Sequence, residues 1–486
     1  MSSADQHQQA VSYTQFIAGE FRSGRGTKSF DILNPATGDS LGQLVYANDD
    51  DLDEAIDAAV AAFPQWRRTS LVERAVLLRG IGTRLRERSG EIARQITLEL
   101  GKPIAEAVRE VELAAELFEW SAEEGRRAYG RVIPARSPGI RQTAIPEPVG
   151  PVAAFGGWNA PLVTPSRKIS SALAAGCTIV VKPSEETPGV ALAIGRAASD
   201  AGVPAGVVNL VFGDPAHVSD RLLEAPGIRM VSFTGATAIG KQIGAKAALT
   251  MKRTTLELGG HAPVIVMDDV NVAQLAKSSV LAKFRNAGQV CTSPTRFYVH
   301  ERIYEQFVTT FVDTARTLKV GNGLDAGVQM GPLKNRRRRD AIEALIEDAR
   351  AHGVKVACGG SRMDGPGFFH EPTVLTDFVD SCRAANEEPF GPLAMFRPIR
   401  DADHAITEAN RLPFGLASYL FTRDIAVAQK LTEEIDSGAV CLNEWVVALA
   451  ETPFGGVKDS GLGREGGCEG LEEYLRIKSI RQGLVL

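Results

Sequence analysis

Cysteine is scarce and scattered: six residues, at positions 177, 291, 358, 382, 441 and 468, serve a chain of 486. None forms C-x-x-C and none stands at zinc spacing from a histidine, so no metal site is expected and the cysteines read as free thiols. Basic charge is not in excess. Lys and Arg number 54 against 59 Asp and Glu, a net charge of −5, which argues against a nucleic-acid or membrane-surface partner. Long apolar runs are missing too. The longest candidate, "SSALAAGCTIVV", stops at Lys182, short of the ~18 residues that span a bilayer. The start, "MSSADQHQQAVSYTQF", lacks the basic end and apolar core of a signal peptide. A cytoplasmic location is the expectation. Internal repeats and low-complexity segments are also lacking.

What is present is the composition of a soluble globular protein, 44% hydrophobic and 23% charged, at a length that predicts two or three domains. Residues 50–126 carry apolar positions at helical spacing, opening on the acidic "DDLDEAIDAAVAAFPQW". "RVIPARSPGIRQTAIPEPVGP" then reads as a hairpin or extended arm. From 151 to about 266, the runs "PVAAF", "CTIVVKP", "GVVNLVF", "IRMVSFTG" and "TTLELGG" alternate with helical stretches. That is the rhythm of an α/β doubly wound parallel sheet, which binds dinucleotides at its carboxyl strand ends. A second α/β stretch runs from about 256 to 460, and the tail "LEEYLRIKSIRQGLVL" ends in a β-like run with no evident partner, an edge that another subunit often completes. Two motifs mislead. "GLGREG" at 461–466 matches G-x-G-x-x-G but lacks the preceding strand and reads as a turn-rich loop. "KNRRRRD" at 334–340 reads as a solvated helix start rather than a nucleic-acid patch.

Cys291, in "KFRNAGQVCTSPTRF", has three readings: buried filler, redox partner or nucleophile. Its small, polar neighbours do not form a core pattern, and they leave room for a substrate and a backbone N–H at the sulfur. A hydrolase pairing with His261 or His300 finds no supporting pattern around either histidine. Glu257, in "TLELGGHAP", lies inside an apolar strand, where a carboxylate's pKa rises and suits it to act as a general base. Otherwise it is a charge at a wet strand end. Asn159, in "FGGWNAP", is a turn residue or an amide donor aimed at an oxyanion. Lys182 and Glu185 of "VVKPSEETP" suit ribose hydroxyls or phosphate, and "SFTGATAIGKQ" is a strand, turn and helix start fit for a pyrophosphate.

Taken in order, "WNAP", "VVKPSEETP", "FTGATAIG", "LELGGHAP", "FRNAGQVCTSPTR", "EEPFGP" and "PFGGVKDSGLGREGG" resemble the aldehyde dehydrogenase superfamily over nearly the whole chain. The resemblance implies an NAD(P)-binding Rossmann-like domain (1–126 and 147–255), a catalytic domain (256–465) and a β oligomerisation arm (127–146 and 466–486) of a homodimer or homotetramer. It implies that Cys291 attacks the aldehyde, that Asn159 and the Cys291 N–H hold the oxyanion, and that Glu257 activates water. Lys168 and Glu465 match proton-relay positions. Trp158, Lys182, Ser184, Glu185, Gly235, Gly240, Glu388 and Phe390 match cofactor positions. Glu185 favours NAD over NADP, because a 2′-phosphate would meet a like charge. Glu257 also favours hydrolysis over transfer to coenzyme A. Departures are Gly157 for a usual Pro, Ala160 for Phe and Ala236 for Ser.

Within the superfamily the texture is similar to the succinate-semialdehyde and α-ketoglutaric semialdehyde dehydrogenase branch. There two arginines grip the distal carboxylate, and the matching positions are Arg167 and Arg285. A forked guanidinium pairs bidentately with a carboxylate, and Arg285 is expected one or two helical turns before the nucleophile. The branch's loop serine falls at Ala448, in an apolar loop with Trp445, Val446, Val447 and Leu449. That loop keeps a second substrate class open, a broad or aromatic aldehyde. A catalytically silent relative is the non-enzymatic alternative, and intact Cys291, Glu257 and Asn159 speak against it.

Overall fold

The computed structural model describes residues 11–483. Its first large sheet has the strand order Gly461–Leu462, Arg253–Glu257, Met230–Thr234, Val152–Phe155, Ile179–Lys182, Val208–Leu210, Gln15–Ile17, Glu20–Arg22. The five central strands are parallel, and the edge pieces are antiparallel. Val152–Phe155 and Ile179–Lys182 are buried throughout, because helices cover both faces and leave no wet side that polar residues could occupy. Val152 and Ala154 enter one core, Ala153 and Phe155 the other, as a period of two requires. From Val152–Phe155 the chain steps outward through two strands, then returns to the opposite side at Met230. The strand order therefore reverses beside Val152–Phe155, the position where such sheets open a crevice.

The second large sheet has the order Lys355–Cys358, Thr373–Thr376, Leu393–Ile399, Pro294–His300, Ala262–Val266, Ala417–Phe421, Ala439–Leu442, and only its first strand is antiparallel. The boundary expected between 255 and 256 cuts through the strand Arg253–Glu257, so Glu257 belongs to the first sheet. Gly461–Leu462 returns to that sheet as well, so the expected catalytic stretch ends by crossing back. The N-terminal strands Gln15–Ile17 and Glu20–Arg22 complete the far edge, a role their short, polar setting does not announce.

The hairpin arm is real, but the tail is not unpartnered. Leu475–Gly483 pairs antiparallel with Ile140–Pro148 over its full length, and Arg131–Ile133 adds a third strand. Between the "GLGREG" loop and that strand, Gly467–Glu472 is helical, so the expected arm from 466 begins with a helix. Among the described residues no helix is long and apolar enough to cross a membrane.

Candidate active site

The two sheets present opposite ends to one seam. Asn159 follows the carboxyl end of Val152–Phe155, Gly235 follows Met230–Thr234, and Lys182 and Glu257 close their own strands. From the second sheet come amino ends: Gly260 precedes Ala262, Cys291 precedes Pro294, and Glu388 and Phe390 precede Leu393. The double glycine between the sheets makes the approach possible. A Cβ at Gly259 would lie 2.6 Å from Glu388 Oε2, and one at Gly260 would lie 2.9 Å from the Cys291 carbonyl oxygen.

Cys291 is half-buried on a turn pinned from several directions. Ser293 N–H donates to Val290 O at 2.9 Å. Tyr419 Oη donates to Thr292 O at 2.7 Å, and Lys283 Nζ donates to Ser293 Oγ at 2.9 Å. Asn286 Nδ2 donates to Gln289 O at 3.2 Å and to Asn159 O at 3.0 Å, which ties the cysteine segment to the Asn159 loop. Burial pushes the thiol up to about 12. Glu388 and Glu257 push the same way, and Arg285 opposes them. Among the described residues no histidine bonds it. His261 is occupied by Thr295 Oγ1 and Ala384 O, and burial holds its pKa well below the usual value.

Glu257 is 3% exposed, and among the described residues neither carboxylate oxygen has a hydrogen-bond partner. Burial, then the Glu465 charge, lift its pKa well above the usual carboxylate range, against Lys168, Arg167 and Arg464. An unpartnered buried carboxyl is costly, and here it faces the seam: a Cβ at Gly455 would lie 2.8 Å from Oε1. Lys168 and Glu465 form a buried ion pair, and Lys168 Nζ also donates to Ser232 Oγ at 3.1 Å.

On the cofactor side Trp158 meets Phe390 edge to face, with ring centroids 5.4 Å apart. Glu388 Oε1 accepts the Gly260 N–H at 3.2 Å, and burial lifts Glu388 to about 7. Lys182 and Glu185 pair with each other, while Ser184 Oγ accepts the Glu186 N–H. Gly235 N–H donates to Glu257 O. Gly240 is first a packing glycine, because a Cβ there would lie 2.1 Å from Leu258. The helix Thr237–Leu249 begins beside Gly235 with Ala236 as its cap and no side-chain cap bond, leaving its first N–H groups free for an anion.

Several expectations change on the substrate side. Arg285 is not on a helix leading to Cys291. The helix Val272–Phe284 stops just before it, and Asn286 and Ala287 take positive φ, so Arg285 stands exposed beside the turn. Trp445 packs tilted against Tyr419 and Phe421, with centroids at 5.1 and 4.6 Å, and donates its N–H to Ser278 Oγ. Its indole braces the Tyr419 wall. Arg167 is buried, donating long bonds to Ala448 O at 3.4 Å and Leu449 O at 3.5 Å, and lies over Phe454. "KNRRRRD" is only half solvated. Arg338 turns in to Pro389 O and the Phe390 ring, Arg339 bonds Gly367 O, and Lys334 bonds Glu99 O. Lys283, Asn286 and Arg338 are thus site residues that sequence reasoning passed over. "NAG" carries a turn signal, but nothing local marks the two cations as buried.

A strand-order reversal, a buried carboxyl and a cysteine turn thus meet at one seam. The family model described as "Aldehyde dehydrogenase family" matches residues 21–480. A 4-(hydroxymethyl)benzenesulfonate dehydrogenase of Comamonas testosteroni is 45% identical, covering 95% of this chain and 96% of its own. The NADP⁺ succinate-semialdehyde dehydrogenase of Escherichia coli K12 is 42% identical, covering 96% and 97%. The crystal structure of succinate-semialdehyde dehydrogenase from Burkholderia pseudomallei superposes with a TM-score of 0.95 at 41% identity, covering 97% and 98%. The chain belongs to the aldehyde dehydrogenase family, and it is an NAD(P)-dependent oxidoreductase.

Proposed function

We propose that the protein oxidises an aldehyde carrying a distal anion, with an ω-carboxylate semialdehyde as the leading substrate class. The carrying observation is Arg167. Its guanidinium is 5% exposed, has no carboxylate within ion-pair distance among the described residues, and makes only long bonds to two loop carbonyls. Burial lowers its pKa, while Glu465, Glu257 and Cys291 favour its charge. A buried cation left this way gains most from an anionic ligand. Arg285, exposed at the rim, acts as the second arm of the grip.

The residues fit a nicotinamide cofactor. The uncapped helix start at Thr237 suits the pyrophosphate, Lys182 and Glu185 the adenine ribose, and Glu388 with the Trp158–Phe390 pair the nicotinamide side. When bound, the cofactor supplies the hydride acceptor. The Cys291 thiolate attacks the carbonyl carbon, and the Asn159 amide with the Cys291 N–H stabilises the resulting oxyanion. Loss of hydride from that thiohemiacetal leaves a thioester. Glu257 then takes a proton from water as the water attacks, and the acid departs as sulfur leaves. The Lys168–Glu465 pair, whose charges both act on Glu257, relays the proton from it. The Glu185 carboxylate favours NAD, and steady-state rates with both cofactors test this. The apolar faces of Val132, Ile477 and Ile480, exposed on the three-stranded arm, support a homo-oligomer.

A second reading has its own support. Ala448 lies in a loop that leaves Val446 and Leu449 exposed, room for an aromatic aldehyde bearing the anion. The test is a kcat/KM panel of semialdehydes, anionic aromatic aldehydes and neutral aldehydes, run on wild type, Arg167→Leu and Arg285→Ala. Loss of a buried charge pair costs about 2–5 kcal/mol, so Arg167→Leu should lower kcat/KM for anionic aldehydes at least about 30-fold, with little change for neutral ones. Arg285→Ala, at an exposed site, should cost about 1 kcal/mol or less. Equal losses on anionic and neutral aldehydes would sink the anion grip.

A further inference from the structure

Behind the Cys291 turn lies a cation with no assigned role. Lys283, in the last turn of the helix Val272–Phe284, is fully buried. Its one hydrogen bond is to Ser293 Oγ, and among the described residues no carboxylate lies within ion-pair distance. A Cβ on Gly288 would lie 3.2 Å from Nζ. The amino group is therefore enclosed by Gly288 and Ser293, one on either side of Cys291 in the sequence. An aliphatic side chain would fill this volume without the desolvation cost of an ammonium.

The charges around it form a short series. Glu388 is the carboxylate that acts on Lys283, and Arg338 faces Glu388 from the other side. His261, within the field of Lys283, is held neutral by burial. Cys291 feels Glu388, Glu257 and Arg285. Burial pulls Lys283 down to about 7 and lifts Glu388 to about 7, and each charge favours the other's.

We propose that Lys283 is a positioning residue that fixes the Cys291 turn through its hydrogen bond to Ser293 and so holds the sulfur where it can meet the aldehyde carbon. The proposal rests on Cys291 being the nucleophile. The test uses the full-length enzyme, with alkylation by iodoacetamide followed against pH in the absence of cofactor and the label located by mass spectrometry. Lys283→Met should lower kcat about tenfold with KM little changed and the alkylation profile left in place. Ser293→Ala, which keeps the charge and removes the bond, should lower kcat while leaving the profile in place. A folded Lys283→Met enzyme with wild-type kcat overturns the proposal. Should that variant fail to fold, wild-type kcat in Ser293→Ala overturns it and reduced kcat sustains it. Label on a different cysteine, or activity surviving label on Cys291, would instead count against the nucleophile assignment.

Discussion

The two large sheets are both parallel, yet they meet the seam with opposite ends. The first offers carboxyl ends, and two of its loops lead into helices, Val163–Ala175 after Asn159 and Thr237–Leu249 after Gly235. The start of Thr237–Leu249 supplies free N–H groups and a positive dipole terminus, whereas the Glu110 carboxylate accepts the Leu162 and Val163 N–H groups at the start of the other helix. The second offers amino ends, where turns built on Gly260 and Gly288 bring backbone close to its neighbours. The sheet that offers dipoles and an amide holds no nucleophile, and the sheet that holds the sulfur lacks the proposed base. The proposed chemistry is therefore a property of the seam, and each side can be broken separately.

Removing the sulfur should have the largest effect. Cys291→Ala should lower NADH formation at least about 10³-fold with thermal unfolding unchanged, and retained activity would end the proposed mechanism. Removing the base from the opposite sheet should divide the reaction. Glu257→Gln should keep a burst of about one NADH per site, because acylation needs only sulfur and oxyanion donors, while steady turnover falls about 10²–10⁴-fold. The pH dependence follows from the sign of the shift. A pKa raised by burial and Glu465 keeps Glu257 protonated to higher pH, and a protonated carboxyl cannot accept a proton. Steady turnover should therefore rise with pH until the carboxyl ionises, and Glu257→Gln should abolish that limb. A Gln variant without a burst would place Glu257 before acylation instead.

The same comparison shows what was legible in the sequence. The parallel strands could be read because burial on both faces forces apolar runs, and "LELGGHAP" exposes a carboxylate among them. The edge pieces could not. Gln15–Ile17, Gly461–Leu462 and the pairing of Leu475–Gly483 with Ile140–Pro148 depend on partners far away in the chain. Cys291, Glu257 and Asn159 stood out as candidates by residue type and setting, and the family resemblance supplied their proposed roles. Lys283 stood beside them in the same quoted stretch, yet its burial is set by Gly288, Ser293 and the loop of Glu388. Four consecutive arginines likewise do not say which two turn inward. Arg338 does so because its face of the helix meets Pro389 and Phe390.

The smallest expected effect tests the seam itself. Asn286 sits at φ 47° and ψ 37°, left-handed backbone that disfavours side chains, although Asn tolerates it better than most residues. Its amide bonds Asn159 O and Gln289 O, so one side chain spans both sheets' loops. Asn286→Gly relieves the backbone cost, about 1 kcal/mol, and forfeits two hydrogen bonds worth about 1 kcal/mol each. The net change in stability should be about 1 kcal/mol, while its N–H bond to Glu106 is retained. Asn286→Ala loses the same amide without the relief and should be the less stable of the two. Both should lower kcat about fivefold to tenfold, because the Asn159 loop is then free to drift from the sulfur. Thermal unfolding and kcat measured on the pair separate backbone strain from the tie. Wild-type kcat in Asn286→Gly would mean that each sheet holds its half of the oxyanion site unaided.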